Sequence, residues 1–167
     1  MDTSTDKTFV RNVIQLLLPD FIEVSHNIFG NFLCQKVIES ANAAELRQII
    51  NLLLPIATEM ALNQHGTRTM QSIVEQAHKF IVEEGLMQDE LKEIIKMLEP
   101  VTLQLCTDVH GNHVVQTFIT KFRATESPED KDTPGSEKLG QFTDFIFNAC
   151  MQNPLEIGTH KQGCCVM

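Results

Sequence analysis

Gly-Asn-Phe-Leu-Cys-Gln at residues 30–35 returns as Gly-Thr-Arg-Thr-Met-Gln at 66–71 and as Gly-Asn-His-Val-Val-Gln at 111–116. The flanks repeat in the same register. Twelve residues before each post-glycine position stands a proline, Pro19, Pro55 or Pro100, closing the runs VIQLLLP, IINLLLP and IIKMLEP. Three residues after each Gln comes an apolar residue, Ile38, Val74 or Ile119. A fourth copy follows, in which Cys164 succeeds Gly163 and Ile157 falls where Val24, Met60 and Leu105 fall earlier. Ile146, Phe147 and Cys150 take the slots of Ile94, Ile95 and Leu98, Gln152 stands in place of the proline, and Met167 is one residue short of the next Gln. A unit recurring at this period is the signature of a stacked repeat array.

Each copy reads as two helices. Val13–Ile14 with Leu16–Leu17, and Ile49–Ile50 with Leu52–Leu53, are spaced to give a helix one wide apolar face. The proline then ends or bends that helix, because it donates no hydrogen bond and crowds the preceding turn. The second helix opens at a polar capping residue, Asn27, Asn63 or Asp108, and runs through the glycine and the Gln. Helix pairs in tandem without a strand pattern predict an all-α solenoid, with repeats over about residues 9–42, 43–79, 89–123 and 139–167.

The post-glycine positions are 36, 45 and 52 residues apart, so extra residues fall between copies. Lys79–Gln88 is expected to extend a helix or form an ordered loop. Residues 124–138 combine two Pro, a Gly and dense acids, which predicts an acidic, flexible surface insertion. Its Ser127–Pro128 and Thr133–Pro134 offer phosphorylation sites of a kind that any such loop contains by chance.

Composition bounds the function. The chain has 167 residues, no Trp or Tyr and ten Phe, so Phe and the aliphatics must build the core. The stretch MDTSTDKTFV is polar and lacks the apolar run of a signal peptide, and no apolar run is long enough to span a membrane. Cys34, Cys106, Cys150, Cys164 and Cys165 show no C-x-x-C spacing and read as reduced thiols rather than a disulfide framework. The net charge of −9 opposes binding through phosphates alone. If such a chain holds nucleic acid, it must grip the bases.

The five-residue windows provide for that. Their first and fifth members lie a turn apart on one helical face, and the second borders it. The first and fifth slots carry hydrogen-bonding side chains: Asn31 with Gln35, Thr67 with Gln71, and Asn112 with Gln116. The second slot carries Phe32, Arg68 and His113, all flat. Flat groups one repeat apart can sandwich bases, each stack contributing about 1–3 kcal/mol, and an Asn/Gln pair matches the donors and acceptors of a uracil edge.

The stretches FGNFLCQKVIE, HGTRTMQ, VHGNHVVQ and HKQGCCVM resemble Pumilio-family (PUF) repeats over roughly residues 9–167, insertions apart. The order of windows looks like the second to fifth repeats of that eight-repeat family, with little left of any earlier repeat. The resemblance implies a right-handed α-solenoid, here truncated, that binds single-stranded RNA one base per repeat. It implies that Asn31/Gln35 and Asn112/Gln116 read uracil, and that Thr67/Gln71 stands where the family uses Cys or Ser with Gln for adenine. Thr67 departs from that pattern by an added methyl group. Cys164 would begin another adenine reader, and Phe32, Arg68, His113 and Cys165 would stack on bases. Binding antiparallel to the chain, the segment would read about 5′-(A)-U-A-U-3′ in messenger RNA. The family acts in the cytoplasm in post-transcriptional repression, recruiting repressor or deadenylase proteins. No cofactor, metal, membrane or small-molecule substrate is implied.

Other readings compete for the same residues. A protein-binding scaffold of the armadillo or HEAT type is the alternative function, but such a stack has no need of an in-register Asn-flat-x-x-Gln window. His65 and His110 each precede the helical glycine, which marks a structural slot. Cys106, His110 and His113 form a zinc-like C-x₃-H-x₂-H string that lacks a fourth ligand. Cys164-Cys165-Val166-Met167 fits a prenylation box, yet repeat register accounts for the same residues and no polybasic stretch precedes them. No nucleophile–base pair or phosphate-cradling loop argues for catalysis.

Overall fold

The computed structural model describes residues 3–123 and 139–167. The acidic insertion and its two Ser/Thr-Pro dipeptides lie outside the described residues. Among the described residues every regular element is helical.

Each repeat runs outer helix, short middle helix, inner helix. The outer helices are α1 (Thr3–Leu17), α4 (Ala43–Leu53), α7 (Gln88–Leu98) and α10 (Asp144–Gln152). The middle ones, six residues each, are α2 (Phe21–His26), α5 (Ala57–Leu62), α8 (Thr102–Thr107) and α11 (Pro154–Thr159). The inner helices are α3 (Gly30–Ser40), α6 (Gly66–Glu84) and α9 (Gly111–Phe122), with a 3-10 turn at Gly163–Cys165 in the fourth repeat. The middle helix refines the two-helix expectation. Pro19, Pro55 and Pro100 lack an N–H, so the outer helix passes into a 3-10 turn, Leu18–Asp20, Leu54–Ile56 or Glu99–Val101, and restarts in a new direction.

The foreseen caps form. Asn27 Oδ1 accepts from the backbone N–H of Phe29 and Gly30, Asn63 Oδ1 from His65 and Gly66, and Asp108 Oδ1 from His110 and Gly111, all at 2.7–3.0 Å. In the fourth repeat His160 Nδ1 takes this part, accepting from Gln162 N–H at 3.2 Å. The glycines recur for a packing reason. A Cβ on Gly66 would lie 2.9 Å from the carbonyl oxygen of Met60, and one on Gly111 would lie 2.9 Å from Leu105 Cδ2. At Gly30 and Gly163 the same collisions, with Val24 and Ile157, are closer still. The inner helix thus meets the middle helix at one repeated slot, where only a bare Cα fits.

Lys79–Gln88 is mainly a helix extension: α6 continues to Glu84, and Gly85 then turns the chain at φ 66°. Consecutive repeats stack through one continuous core, with Ile14, Ile50, Leu46 and Leu91 on outer helices and Cys34, Met70 and Val115 on inner ones. A ladder of charge runs along the outer helices. Arg11 lies 3.9 Å from Glu45, and Arg47 hydrogen-bonds Glu90, so one slot of a repeat grips another slot of the next. Glu45 also completes a capping box, accepting from Asn42 N–H at 2.9 Å while Asn42 caps α4.

Candidate nucleic-acid interface

The inner helices place their windows side by side. Within each, the fifth-slot Gln folds back onto the first slot. Gln35 Nε2 donates to Asn31 Oδ1 at 3.0 Å and Gln116 Nε2 donates to Asn112 Oδ1 at 2.8 Å. Gln71 Nε2 donates to the Thr67 carbonyl at 3.1 Å and reaches its Oγ1 only at 3.5 Å. The structure therefore brings together all three pairs expected from spacing.

The two members of a pair differ in what spacing could not show. Asn31, Thr67 and Asn112 are only 3%, 1% and 5% exposed, whereas the Gln partners are half-buried. Asn31 Nδ2 donates to the carbonyls of Asn27 and Ile28 at 3.0 and 2.8 Å, and Asn112 Nδ2 to those of Asp108 and Val109 at 2.7 and 3.0 Å. These carbonyls can only accept, so the nitrogen must face them and Oδ1 must face the Gln. Each Asn is thus anchored to the start of its helix and in turn orients a Gln. The Gln keeps Oε1, which no described residue hydrogen-bonds.

The second-slot side chains project outward: Phe32 and Arg68 are exposed and His113 is half-buried. With Asn31, Gln35 and Thr67 they line a groove of about 550 Å³ between the first and third repeats. Gln71, His113 and Gln116 line a second hollow of about 260 Å³ in the next position along. His65 and His110, read from sequence as structural, stand in the wall of the first groove as well as at the helix starts. Their recurrence before the glycine was the available signal.

The acidity of the chain is not located there. No carboxylate lines the larger groove, whose charged or chargeable residues are Arg68, His65, His110 and His113. In the smaller hollow, Glu75 is paired with Lys121 at 3.3 Å.

Cys164 and Cys165 are exposed near Lys161, Cys164 Sγ lying 3.2 Å from its carbonyl. Val166 is buried in the slot of Val114, whereas Cys164 is exposed in the slot where Asn31, Thr67 and Asn112 are buried. Cys106 is buried, and burial pushes its thiol up to about 12, while His110 and His113 face the groove. The zinc-like string is thereby split between core and groove. Among the described residues no cluster of three His, Cys, Asp or Glu is arranged to hold a metal ion.

A capped helix start, a glycine contact, a buried anchor and a half-exposed Gln, recurring in stacked three-helix units, define a tandem helical-repeat protein with one polar ladder. The chain belongs to the Pumilio family: the profile of the Pumilio-family RNA binding repeat matches residues 20–54, 57–79, 102–126 and 155–167. In structure the chain is similar to a Puf4 double mutant bound to the Cox17 RNA 3′ UTR recognition sequence, with 26% identity and a TM-score of 0.75 over 96% of this chain and 45% of that one. The RNA-binding domain of yeast Puf5p bound to MFA2 RNA gives 26% identity and a TM-score of 0.74, covering 98% and 40%. The PUM-HD domain of S. pombe Puf1 in complex with RNA, at 21% identity and a TM-score of 0.71 over 96% and 36%, shares the fold. The chain thus spans less than half the length of these structures. Compared by sequence, no curated protein matches it.

Proposed function

We propose that this chain binds single-stranded RNA in a sequence-specific way, one base per window, as part of the recognition surface of a Pumilio-type regulator of messenger RNA. The observation that carries this reading is the recurring bond from the fifth-slot Gln to the first slot, in register along one groove. A Gln116 carboxamide with one N–H held by Asn112 retains Oε1 as acceptor and a second N–H as donor, side by side. That pair complements the N3–H and adjacent carbonyl of uracil. Gln35, whose Nε2 donates to Asn31 Oδ1 at 3.0 Å and to the Asn31 carbonyl at 3.3 Å, presents the same Oε1 acceptor. Phe32, Arg68 and His113 would stack between successive bases, with Cys165 in the equivalent fourth position. Cys164, in the first slot of that repeat, would meet the base before it.

The middle window is looser. Thr67 holds Gln71 mainly through its backbone carbonyl, so a base there would be gripped with less edge discrimination than at the Asn windows. The site would read about 5′-(A)-U-A-U-3′, and the cellular role would be repression of such messages in the cytoplasm through recruited repressor or deadenylase proteins. Three stacks at about 1–3 kcal/mol each must offset an association cost of about 4–15 kcal/mol, so binding by these repeats alone should be weak.

Competition between a fluorescent UAU-containing oligomer and a GCG-containing one tests the reading. Preference for UAU, lost on Gln116→Ala, supports it. Equal affinity for both would point instead to a protein-binding scaffold.

A further inference from the structure

The residue just before each inner-helix glycine stands three positions ahead of the second-slot side chain, one turn away on the same face. The backbone holds the two in register: the N–H groups of Phe32, Arg68 and His113 donate to the carbonyls of Phe29, His65 and His110 at 3.2, 3.0 and 3.2 Å. Every stacking position therefore has a neighbour toward the start of its helix. In the second and third repeats that neighbour is an imidazole in the wall of the larger groove. His110 is fixed there by the bond from the Thr67 hydroxyl to its carbonyl at 3.1 Å. Among the described residues neither the His65 nor the His110 imidazole has a hydrogen-bond or ion-pair partner, although both residues are half-buried. Arg68, beside them, has no carboxylate partner, unlike Arg11 and Arg47. An imidazole in any tautomer has at least one N–H to donate. The groove thus offers donors that the protein itself leaves unused.

We propose that His65 and His110 donate hydrogen bonds to oxygens of the RNA ribose–phosphate backbone and so hold the strand whatever its bases. This rests on the RNA-binding reading above and adds to it a contact without sequence preference. The first and fifth slots take a nucleotide's base edge and the second slot takes its face. Sugar and phosphate are what remain for the wall. Contacts of this kind position a strand, whereas base contacts specify it. No carboxylate lines the groove to repel a phosphate, which is how a chain of net charge −9 can admit a polyanion there. The first repeat lacks the contact, because the side chain of Phe29 has no polar atom to offer.

Phe29 also shows that the slot accepts a phenyl ring, so His65→Phe and His110→Phe keep the flat shape and remove the donor. Oligomer binding at low salt should weaken about 2- to 10-fold per histidine. The factor should be the same for a UAU-containing and a GCG-containing oligomer. Phe29→His, at a residue 78% exposed, should strengthen both equally. Two modified UAU oligomers identify the oxygen. The gap between wild type and the double variant should shrink with 2′-deoxy sugars if the ribose hydroxyl accepts, or with uncharged methylphosphonate linkages if the phosphate does. Unchanged affinity in both Phe variants, a loss confined to the UAU oligomer, or a gap that neither modification narrows would overturn the proposal. Equal wild-type affinity for the two oligomers, with the histidine-dependent gap intact, would refute base reading yet support this contact. Binding to neither oligomer would overturn both.

Discussion

The hydroxyl of Thr67 donates to the carbonyl oxygen of His110, 3.1 Å away, and so ties the second repeat to the start of the third repeat's inner helix. A hydroxyl has one hydrogen to give. Committed to His110, it has none for a base. The bond lies at the groove wall and fixes the separation of neighbouring windows, which is the spacing any stacked bases would need.

Thr67→Val keeps the shape and removes that donor. Unfolding free energy measured in urea should fall by about 1 kcal/mol, the net contribution of one such bond. The relative affinity for adenine and uracil at the corresponding base should change by less than about twofold, well under the 1.4 kcal/mol that a tenfold change requires. A tenfold change in preference would show that the hydroxyl touches the base after all.

The two members of an Asn/Gln window should separate in their effects. Asn112→Ala leaves the carbonyls of Asp108 and Val109 without their side-chain donor and should destabilise the fold by about 1–3 kcal/mol. Gln116→Ala disturbs only a half-buried side chain, so stability should hold. Both should cost about 1–3 kcal/mol of preference for the cognate base, Asn112→Ala by releasing Gln116. Thermal unfolding alongside oligomer competition measures the two quantities. A stable Asn112→Ala protein with unimpaired preference would contradict the anchoring role.

Much of this was legible in the sequence because a repeat multiplies weak signals. One Asn four residues before a Gln means little, whereas Asn31/Gln35, Thr67/Gln71 and Asn112/Gln116 in register define a face. The caps at Asn27, Asn63 and Asp108 were readable for the same reason. The middle helix was not, since six residues such as Phe21–His26 are too few to show a period of their own beside a proline. Burial of the anchor was hidden too. Spacing assigns residues to a face, but whether Asn31 or Gln35 reaches outward depends on carbonyls exposed by the turn before the helix. The glycines could be counted but not explained, because their contact lies on another helix.

Gly66→Ala and Gly111→Ala decide between two opposite expectations. In a helix with free space, alanine would be favoured by about 1 kcal/mol. Here the new Cβ would press on Met60 or Leu105 at 2.9 Å, so both variants should lose about 1–3 kcal/mol through forced displacement of the middle helix. Chemical denaturation gives the sign directly, and a gain in stability would refute the packing account.

The Arg47–Glu90 rung predicts a pH dependence. Burial pushes the Glu90 carboxyl up, but the hydrogen bond from Arg47, a backbone hydrogen bond and the Arg47 charge together outweigh it, leaving the group below its ordinary value of 4.5. The unfolded chain therefore takes up this proton before the folded one does. The contribution is complete above pH 4.5 and is lost as pH falls through the lower folded value. Because Arg47 is 47% exposed at its side chain, solvent screening limits the pair to about 0.5–1 kcal/mol. Wild type should exceed Arg47→Ala by that amount in urea unfolding at neutral pH. The two should converge once pH has fallen below the folded value, where the carboxylate is neutral in both states. A difference that stays constant into acid would place the value of Arg47 in the packing of its aliphatic stem, not in its charge.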